Sequence, residues 1–206
     1  ISRWMQVVTY VHFGTPCTTM SRARRDDGGP APLRSDQFVE GLPDLSPADK
    51  SKLEEGSHLA QLTIDLIKDL RQDQWWSVEN PDRSFLWQFR EFAQWVQQEN
   101  FMCIRFDMCA YGSRSRKPTR LLTNMPQMEA IQKQCPGCRF HFKLKGKQWV
   151  REDGRWVSKW RTRLAQVYPE ALCQRMVKVT ELARGTCSQT TLRPSPFADT
   201  FNITAP

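Results

Sequence analysis

The feature that most constrains this chain is its alternation of short apolar runs with longer amphipathic segments. Runs rich in β-branched and aromatic residues lie at 4–13, 74–79, 101–108 and 119–123. Helical spacing of apolar residues lies between them, over 46–70 and 84–98, and Ser46-Pro47 is a typical helix start. Strand, helix, strand, helix, strand is the order of an α/β unit, so we expect about four strands in a largely parallel sheet with flanking helices.

Changes in composition divide the chain into four regions. We expect an α/β core over 1–134, a small basic aromatic β-meander over 135–163, a C-terminal helix returning to the core over 164–184 and a loosely ordered tail over 185–206. The meander prediction rests on the alternation of Phe140, Phe142 and Leu144 with polar residues, followed by an Asp-Gly turn signal. Because the chain opens directly in a strand-like run without Met, we expect a segment of a longer protein.

Length and composition exclude several classes of protein. A chain of 206 residues with 39% apolar content can bury a sizeable core, and no apolar run is long enough to cross a bilayer. The seven cysteines are odd in number and mostly isolated, which argues against a secreted disulfide framework. We therefore expect an intracellular protein in a reducing compartment, either the nucleus or a host cytoplasm.

The positive charge is concentrated in one part of the chain. Residues 101–163 contain 15 Lys and Arg against 4 Asp and Glu, a net charge of +11, whereas the whole chain carries +8. This density suits a polyanion such as DNA, and the alternative is a solvated basic surface.

Cys17 is the first residue with candidate chemistry. It lies in Thr15-Pro16-Cys17-Thr18, just after the first predicted strand, with Arg22, Arg24 and Arg25 downstream. Nearby cations and free backbone N–H groups would favour its thiolate, the nucleophile needed to attack a pyrimidine ring. The alternative is an inert thiol in a turn.

Glu79 is the second, at the end of the next predicted strand in Val78-Glu79-Asn80-Pro81. A carboxyl group held there could share a proton with the N3 edge of a pyrimidine and make the ring more electrophilic. The alternative is a strand-end acid that caps the following helix.

The third candidate is the basic stretch 109–124, which follows the third predicted strand. It could hold a phosphate and a flipped base, or it could be a solvated turn. The residues selected here are Tyr111, Arg114, Arg116, Lys117 and Arg120.

In this order, the three motifs resemble the middle and later motifs of cytosine-C5 DNA methyltransferases, and most resemble a viral or mobile-element branch. The resemblance covers roughly residues 5–182 and implies part of a Rossmann-like methyltransferase sheet. It implies that Cys17 is the attacking cysteine and that Glu79 contacts a cytosine flipped out of the duplex, with Pro16 and Asn80 beside them. Arg116 and Arg120 are the best matches to the family's later arginine motif, although its usual Gln-x-Arg-x-Arg form is absent.

The basic aromatic region 135–163 falls where the family places its target-recognition region. The residues selected there as DNA contacts are Lys143, Lys145, Trp149, Arg155 and Trp156. The alternative is that these aromatic side chains pack a small core of their own.

The family's donor-binding half has no counterpart in this chain. The resemblance implies S-adenosylmethionine as cofactor, but no Gly-rich strand-to-helix turn precedes Cys17. Either an upstream segment or a second polypeptide completes the donor site, or the activity has been lost. In the last case the chain would be a non-catalytic nucleic-acid-binding module or a structural, assembly subunit.

Cys135-Pro136-Gly137-Cys138 with His141 has partial zinc spacing. Only three ligands are visible, and a fourth would have to come from Cys109 or Cys103. We therefore expect no metal and an ordinary Pro-Gly turn, with zinc as the alternative.

Overall fold

The computed structural model describes residues 5, 7–24, 29–99 and 101–187. Its strands are β1 (Tyr10–Phe13), β2 (Trp75–Pro81), β3 (Met102–Asp107), β4 (Pro118–Thr123), β5 (Lys147–Glu152) and β6 (Arg155–Trp160). Its α-helices are α1 (Pro47–Lys68), α2 (Arg90–Gln98), α3 (Arg161–Leu164) and α4 (Glu170–Cys187). Short 3-10 helices occupy Phe85–Gln88, Met108–Tyr111 and Pro126–Ile131.

The main sheet has four strands in the order β1-β2-β4-β3, which confirms a mixed α/β class. β1 and β2 run parallel, whereas β4 runs antiparallel to both of its neighbours. The expectation of a largely parallel sheet is therefore wrong. The reason is local, because only the turn 112–117 separates the 3-10 helix after β3 from β4, and so short a connection allows only an antiparallel return.

Helices α1 and α2 cover one face of this sheet. The Ser46 side chain accepts a hydrogen bond from the Asp49 backbone N–H at 3.2 Å, the N-cap expected from the sequence. Phe92 of α2 and Ile64 of α1 are completely buried against Val78 of β2. Burying side chains of this size contributes roughly 1.5–3 kcal/mol each, so this cluster fixes the helices to the sheet.

The C-terminal helix α4 covers the other face. Leu172, Met176 and Val179 are buried against Ile104 and Leu121 of the sheet. The helix extends to Cys187, so the first residues of the predicted loose tail are helical. The rest of that tail, from residue 188, lies outside the described residues.

The predicted basic meander is a two-stranded hairpin. β5 and β6 pair antiparallel around Asp153 and Gly154, whose φ angles of 48° and 77° are those of a tight hairpin turn. No strand forms over 140–145, contrary to the alternation in the sequence. Instead the Phe142 backbone N–H donates to the Arg114 carbonyl at 2.8 Å, outside any described strand. Phe140 is 78% exposed, so its side chain does not pack into a core.

Among the described helices, none combines the length and the apolar character that a membrane span requires.

Candidate functional site

The carboxyl ends of β1 and β2 bring the first two predicted site residues to one edge of the sheet. The two strands are parallel neighbours, with Phe13 paired with Val78, so the segment after β1 lies beside Glu79. Cys17 is partly buried in that segment, and Glu79 is only 7% exposed. Strand ends that meet in this way are where α/β sheets gather their functional groups.

Lys117 is the cation that meets Glu79. Its Nζ lies 3.6 Å from Glu79 Oε1, and both side chains are largely buried. Lys117 has a φ of 35°, a left-handed conformation that costs a non-glycine residue about 1–3 kcal/mol. The turn before β4 thus holds a strained residue whose ammonium group faces a buried carboxylate.

The two carboxylate oxygens of Glu79 have different surroundings. Tyr168, from the segment before α4, donates its hydroxyl to Glu79 Oε2 at 2.8 Å. Oε1 is buried and accepts no hydrogen bond from the described part of the chain, although Lys117 lies next to it. An acceptor left without a hydrogen bond in a buried position is costly, and a ligand with a donor at that point would satisfy it.

The charges of Lys117 and Glu79 both act on the pKa of Cys17, which lies at the same edge of the sheet. Burial raises the pKa of the Cys17 thiol, Lys117 lowers it and Glu79 raises it, and the net change is upward. The expectation that arginines would favour the thiolate is therefore wrong. Arg22 donates to Asp36 and Arg24 donates to the Thr18 carbonyl, and Arg25 lies outside the described residues.

Asn80 anchors the Cys17 segment. Its side-chain nitrogen donates to the Thr15 carbonyl at 2.7 Å, and the Thr15 hydroxyl lies 3.0 Å from the hydroxyl of Thr63 in α1. Asn80 Oδ1 is buried without a hydrogen-bond partner among the described residues. Pro16 lies exposed between these anchors and Cys17.

A chain of hydrogen bonds leads to Glu79 from beneath the sheet edge. Tyr10 and His12 each contact the Ser77 hydroxyl, at 2.5 and 2.7 Å, and His12 Nε2 lies 3.1 Å from the Tyr168 hydroxyl. Since Tyr168 donates to Glu79, a consistent assignment places the His12 proton on Nε2, with Nδ1 accepting from Ser77. Burial lowers the pKa of His12 to about 4, so the ring is neutral.

The predicted arginines do not join this cluster. Arg116 pairs with buried Asp107, its Nε lying 3.1 Å from Oδ2. Arg120 pairs with Asp82 at 3.1 Å and, because it is registered with Asn80 rather than Glu79, it lies on the opposite face of the sheet from Glu79. The cation beside Glu79 is therefore Lys117 and not one of the predicted arginines.

The remaining residues of the basic stretch have separate positions. Tyr111 is a core residue whose hydroxyl donates to the Ile131 carbonyl at 2.6 Å. Arg114 and Arg161 line a cavity of about 270 Å³ between the turn 112–117 and the base of the β5–β6 hairpin. Lys143 and Lys145 are exposed beside it.

The hairpin presents two of its three tryptophans to solvent. Trp149 and Trp156 are each 67% exposed, so they do not form a small core. Trp156 is registered with Arg151, and alternation along the strands puts Trp149 on the same face. Arg155, at the tip, is exposed on the other face. Cys135, Cys138 and His141 lie elsewhere, grouped with Cys109.

Among the described residues, no glycine-rich turn joins a strand to a helix, which is the kind of turn that binds nucleotide-like cofactors. Gly14 follows β1, and a Cβ built there would lie 3.3 Å from the Tyr168 hydroxyl, so Tyr168 packs against the backbone at this point. The outer edge of β1 carries no strand among the described residues.

Tyr168 and His12, which contact Glu79 directly and through Tyr168, are not among the residues that the sequence selects. Tyr168 is 89 residues from Glu79 and carries no motif, so only the packing of the segment before α4 reveals it.

No protein-family model, curated protein or solved structure matches this chain.

Proposed function

We propose that this chain is the base-binding and nucleophile-bearing part of a DNA cytosine-C5 methyltransferase-like enzyme. The observation that carries the proposal is that Cys17 follows β1 at the sheet edge where Glu79 is buried on β2, with the ammonium group of Lys117 3.6 Å from Glu79 Oε1. The family resemblance of Cys17 and Glu79 agrees with it. A cytosine would have to leave the duplex to reach this edge, at a cost of a few kcal/mol.

The proposed chemistry is addition of sulfur to C6 of the base. Glu79 takes the proton of the Cys17 thiol and transfers it to N3 of cytosine. The sulfur–C6 bond forms as the C5=C6 electron pair moves to C4=C5 and the C4=N3 pair takes up the proton at N3. C5 becomes electron-rich as a result. Lys117 assists because its positive charge lowers the pKa of Cys17 against the effect of burial.

The Glu79 oxygen that lacks a hydrogen bond supports this assignment. Oε1 lies buried without a hydrogen-bond donor among the described residues, and N3–H of the attacked ring would be such a donor. Asn80, the next residue of β2, points to the opposite face of the sheet, where its side-chain nitrogen holds the Thr15 carbonyl of the segment that leads to Cys17.

The methyl donor requires residues beyond those described. Among the described strands β1 pairs with β2 alone, and a strand edge of this kind can be extended by another strand. An upstream segment or a second polypeptide that adds strands there would bring its own donor site close to the end of β1.

Exchange of the cytosine C5 hydrogen tests the proposal without a donor. Sulfur addition lets C5 accept a deuteron from D2O, and loss of the original proton followed by expulsion of the thiolate returns cytosine with deuterium at C5. We expect mass spectrometry to show exchange in a cytosine-containing oligonucleotide, abolished in Cys17→Ser and slowed about 10²–10⁴-fold in Glu79→Gln.

Cys103→Ser is the matched control, because Cys103 is an exposed cysteine on β3 and should be irrelevant to exchange. Exchange that persists in Cys17→Ser, or that is absent from the folded wild-type chain, would refute the assignment of the nucleophile.

A second function is favoured by the hairpin. Exposed Trp149 and Trp156 beside Arg151 form a surface on which unpaired bases can stack, within the segment of net charge +11. We infer a non-catalytic single-strand-binding role as the alternative. Affinity for an oligonucleotide that falls steeply with salt, in a chain without C5 exchange, would favour it, whereas affinity independent of salt would exclude it.

A further inference from the structure

Three thiols and one imidazole converge just beyond the end of β3. They come from Cys109, Cys135, Cys138 and His141, and their ligand atoms all lie within 4.8 Å of one another. Cys109 belongs to the 3-10 helix after β3, whereas the other three belong to the loop that follows the 3-10 helix Pro126–Ile131. Residues from separate segments therefore form one compact group.

The backbone around this group is fixed independently of the side chains. The Cys135 backbone N–H donates to buried Asp107 Oδ2 at 2.9 Å, and the Asp107 backbone N–H donates to the Lys133 carbonyl at the same distance. Gly137, with φ of 87°, makes the tight turn that brings Cys138 back beside Cys135. The ligands thus sit on a preformed frame.

The spacing of the ligand atoms matches a tetrahedral metal. Zn–S bonds of about 2.3 Å and Zn–N bonds of about 2.0–2.1 Å place sulfur and nitrogen about 3.5 Å apart around a tetrahedral ion. Cys135 Sγ lies 3.4 Å from His141 Nε2. The other ligand atoms need to move inward by at most about 1 Å, within the reach of side-chain rotation, to reach the corresponding sulfur–sulfur distance.

We propose that Cys109, Cys135, Cys138 and His141 bind one structural zinc ion. Three thiolates and an imidazole are a soft ligand set that selects zinc over magnesium or calcium. All four positions come from the protein, which is the arrangement of a structural site rather than a catalytic one. Asp107 is the outer-sphere group, since it binds the Cys135 backbone and the Arg116 side chain together.

The ion would join two parts of the fold. It ties the loop 132–142 to the 3-10 helix after β3, whose Met108 and Cys109 backbone N–H groups donate to the Lys117 and Arg116 carbonyls at the end of the turn 112–117. The same loop leads to the hairpin through Phe142, whose ring lies under Arg161 at 4.4 Å. Zinc would therefore stabilise both the turn that carries Lys117 and the base of the hairpin, whatever reaction the chain performs.

Metal analysis of the full chain tests the proposal. We expect one zinc ion per chain by elemental mass spectrometry after purification without chelator. Replacement by Co²⁺ should give the visible bands of a tetrahedral ion and sulfur-to-cobalt charge-transfer bands. His141→Ala and Cys138→Ser should lower zinc affinity by more than the roughly 10–100-fold loss typical of outer-sphere partners.

Two variants separate metal binding from a folding defect. Cys103→Ser removes an exposed cysteine from the same strand that leads to Cys109 and should keep one zinc. His141→Cys should also keep it, because four thiolates form a complete zinc site. A folded wild-type chain without zinc, a disulfide among the three cysteines, or an octahedral cobalt spectrum would each overturn the proposal.

Discussion

Substitution of Lys117 by Met tests whether the Glu79–Lys117 pair is a buried electrostatic contact. Met keeps most of the length of the lysine stem and a side chain at a position where φ is 35°, so the backbone strain stays. The ammonium group is lost, and Glu79 keeps only the Tyr168 hydroxyl as a hydrogen-bond donor among the described residues. The folded chain then contains an uncompensated buried carboxylate.

The expected magnitude follows from the distance. Opposite unit charges 3.6 Å apart attract by about 4–5 kcal/mol at an effective dielectric constant near 20. Part of that attraction is offset in the native chain by the cost of burying both charges. Since Lys117→Met removes the attraction but leaves Glu79 buried, we expect a loss of about 3 kcal/mol in the free energy of unfolding.

Urea denaturation followed by tryptophan fluorescence measures this loss. Lys52→Met is the matched control, because Lys52 pairs with Asp49 on the surface of α1, where its side chain is 54% exposed. An exposed pair contributes about 0–1 kcal/mol. The double variant Lys117→Met, Glu79→Gln should recover most of the lost stability, since no buried charge then remains.

A loss below about 1 kcal/mol for Lys117→Met, equal to that of Lys52→Met, would refute this reasoning. It would mean that water screens the pair, and a screened carboxylate is a weak candidate for proton transfer to a base.

Three further predictions concern separate parts of the chain. His12, with its pKa lowered from 6.5 to about 4, is neutral when folded and protonated when unfolded between these values, so stability should fall by roughly 3 kcal/mol as the pH drops through that window. Urea titrations check this, and a slope unchanged in His12→Gln would contradict it. Trp149→Ala and Trp156→Ala should each weaken binding of single-stranded DNA by about 1–3 kcal/mol in fluorescence anisotropy, while Val157→Ala, on the other hairpin face, should leave it unchanged. Alkylation of Cys17 by iodoacetamide should have its midpoint above pH 9.0, because burial raises the thiol pKa, and a lower midpoint is the opposing result.

The order of elements in the core could be predicted from the sequence because it depends on local patterns. Ser46 caps α1, as a serine directly before a helix-starting proline predicts. The apolar periodicity predicted both helices that pack on Val78. The direction of β4 depends instead on the length of a turn. The absence of a strand at 140–145 depends on tertiary contacts, since the Phe142 backbone N–H donates its hydrogen bond to the Arg114 carbonyl rather than to a neighbouring strand.

The candidate site was predictable only where a motif marks it. Cys17 follows the end of β1 and Glu79 lies near the end of β2, its parallel neighbour, so the topology brings both to one edge of the sheet. Lys117 lies in a run of four cations, and only the strained turn decides which one meets Glu79. Tyr168 carries no signal in the sequence, because its contact depends on how the segment before α4 packs.

The most direct test of the account is whether the Cys17 sulfur bonds to C6 of a pyrimidine. An oligonucleotide that contains 5-azacytosine suits this measurement, because nitrogen at position 5 makes C6 more electrophilic and can be protonated after attack without any methyl donor. We predict that intact-mass spectrometry will show a covalent complex of one chain with one oligonucleotide, and that peptide mapping will locate the bond at Cys17. A complex that forms at Cys103, or no complex with a folded chain, would contradict the account.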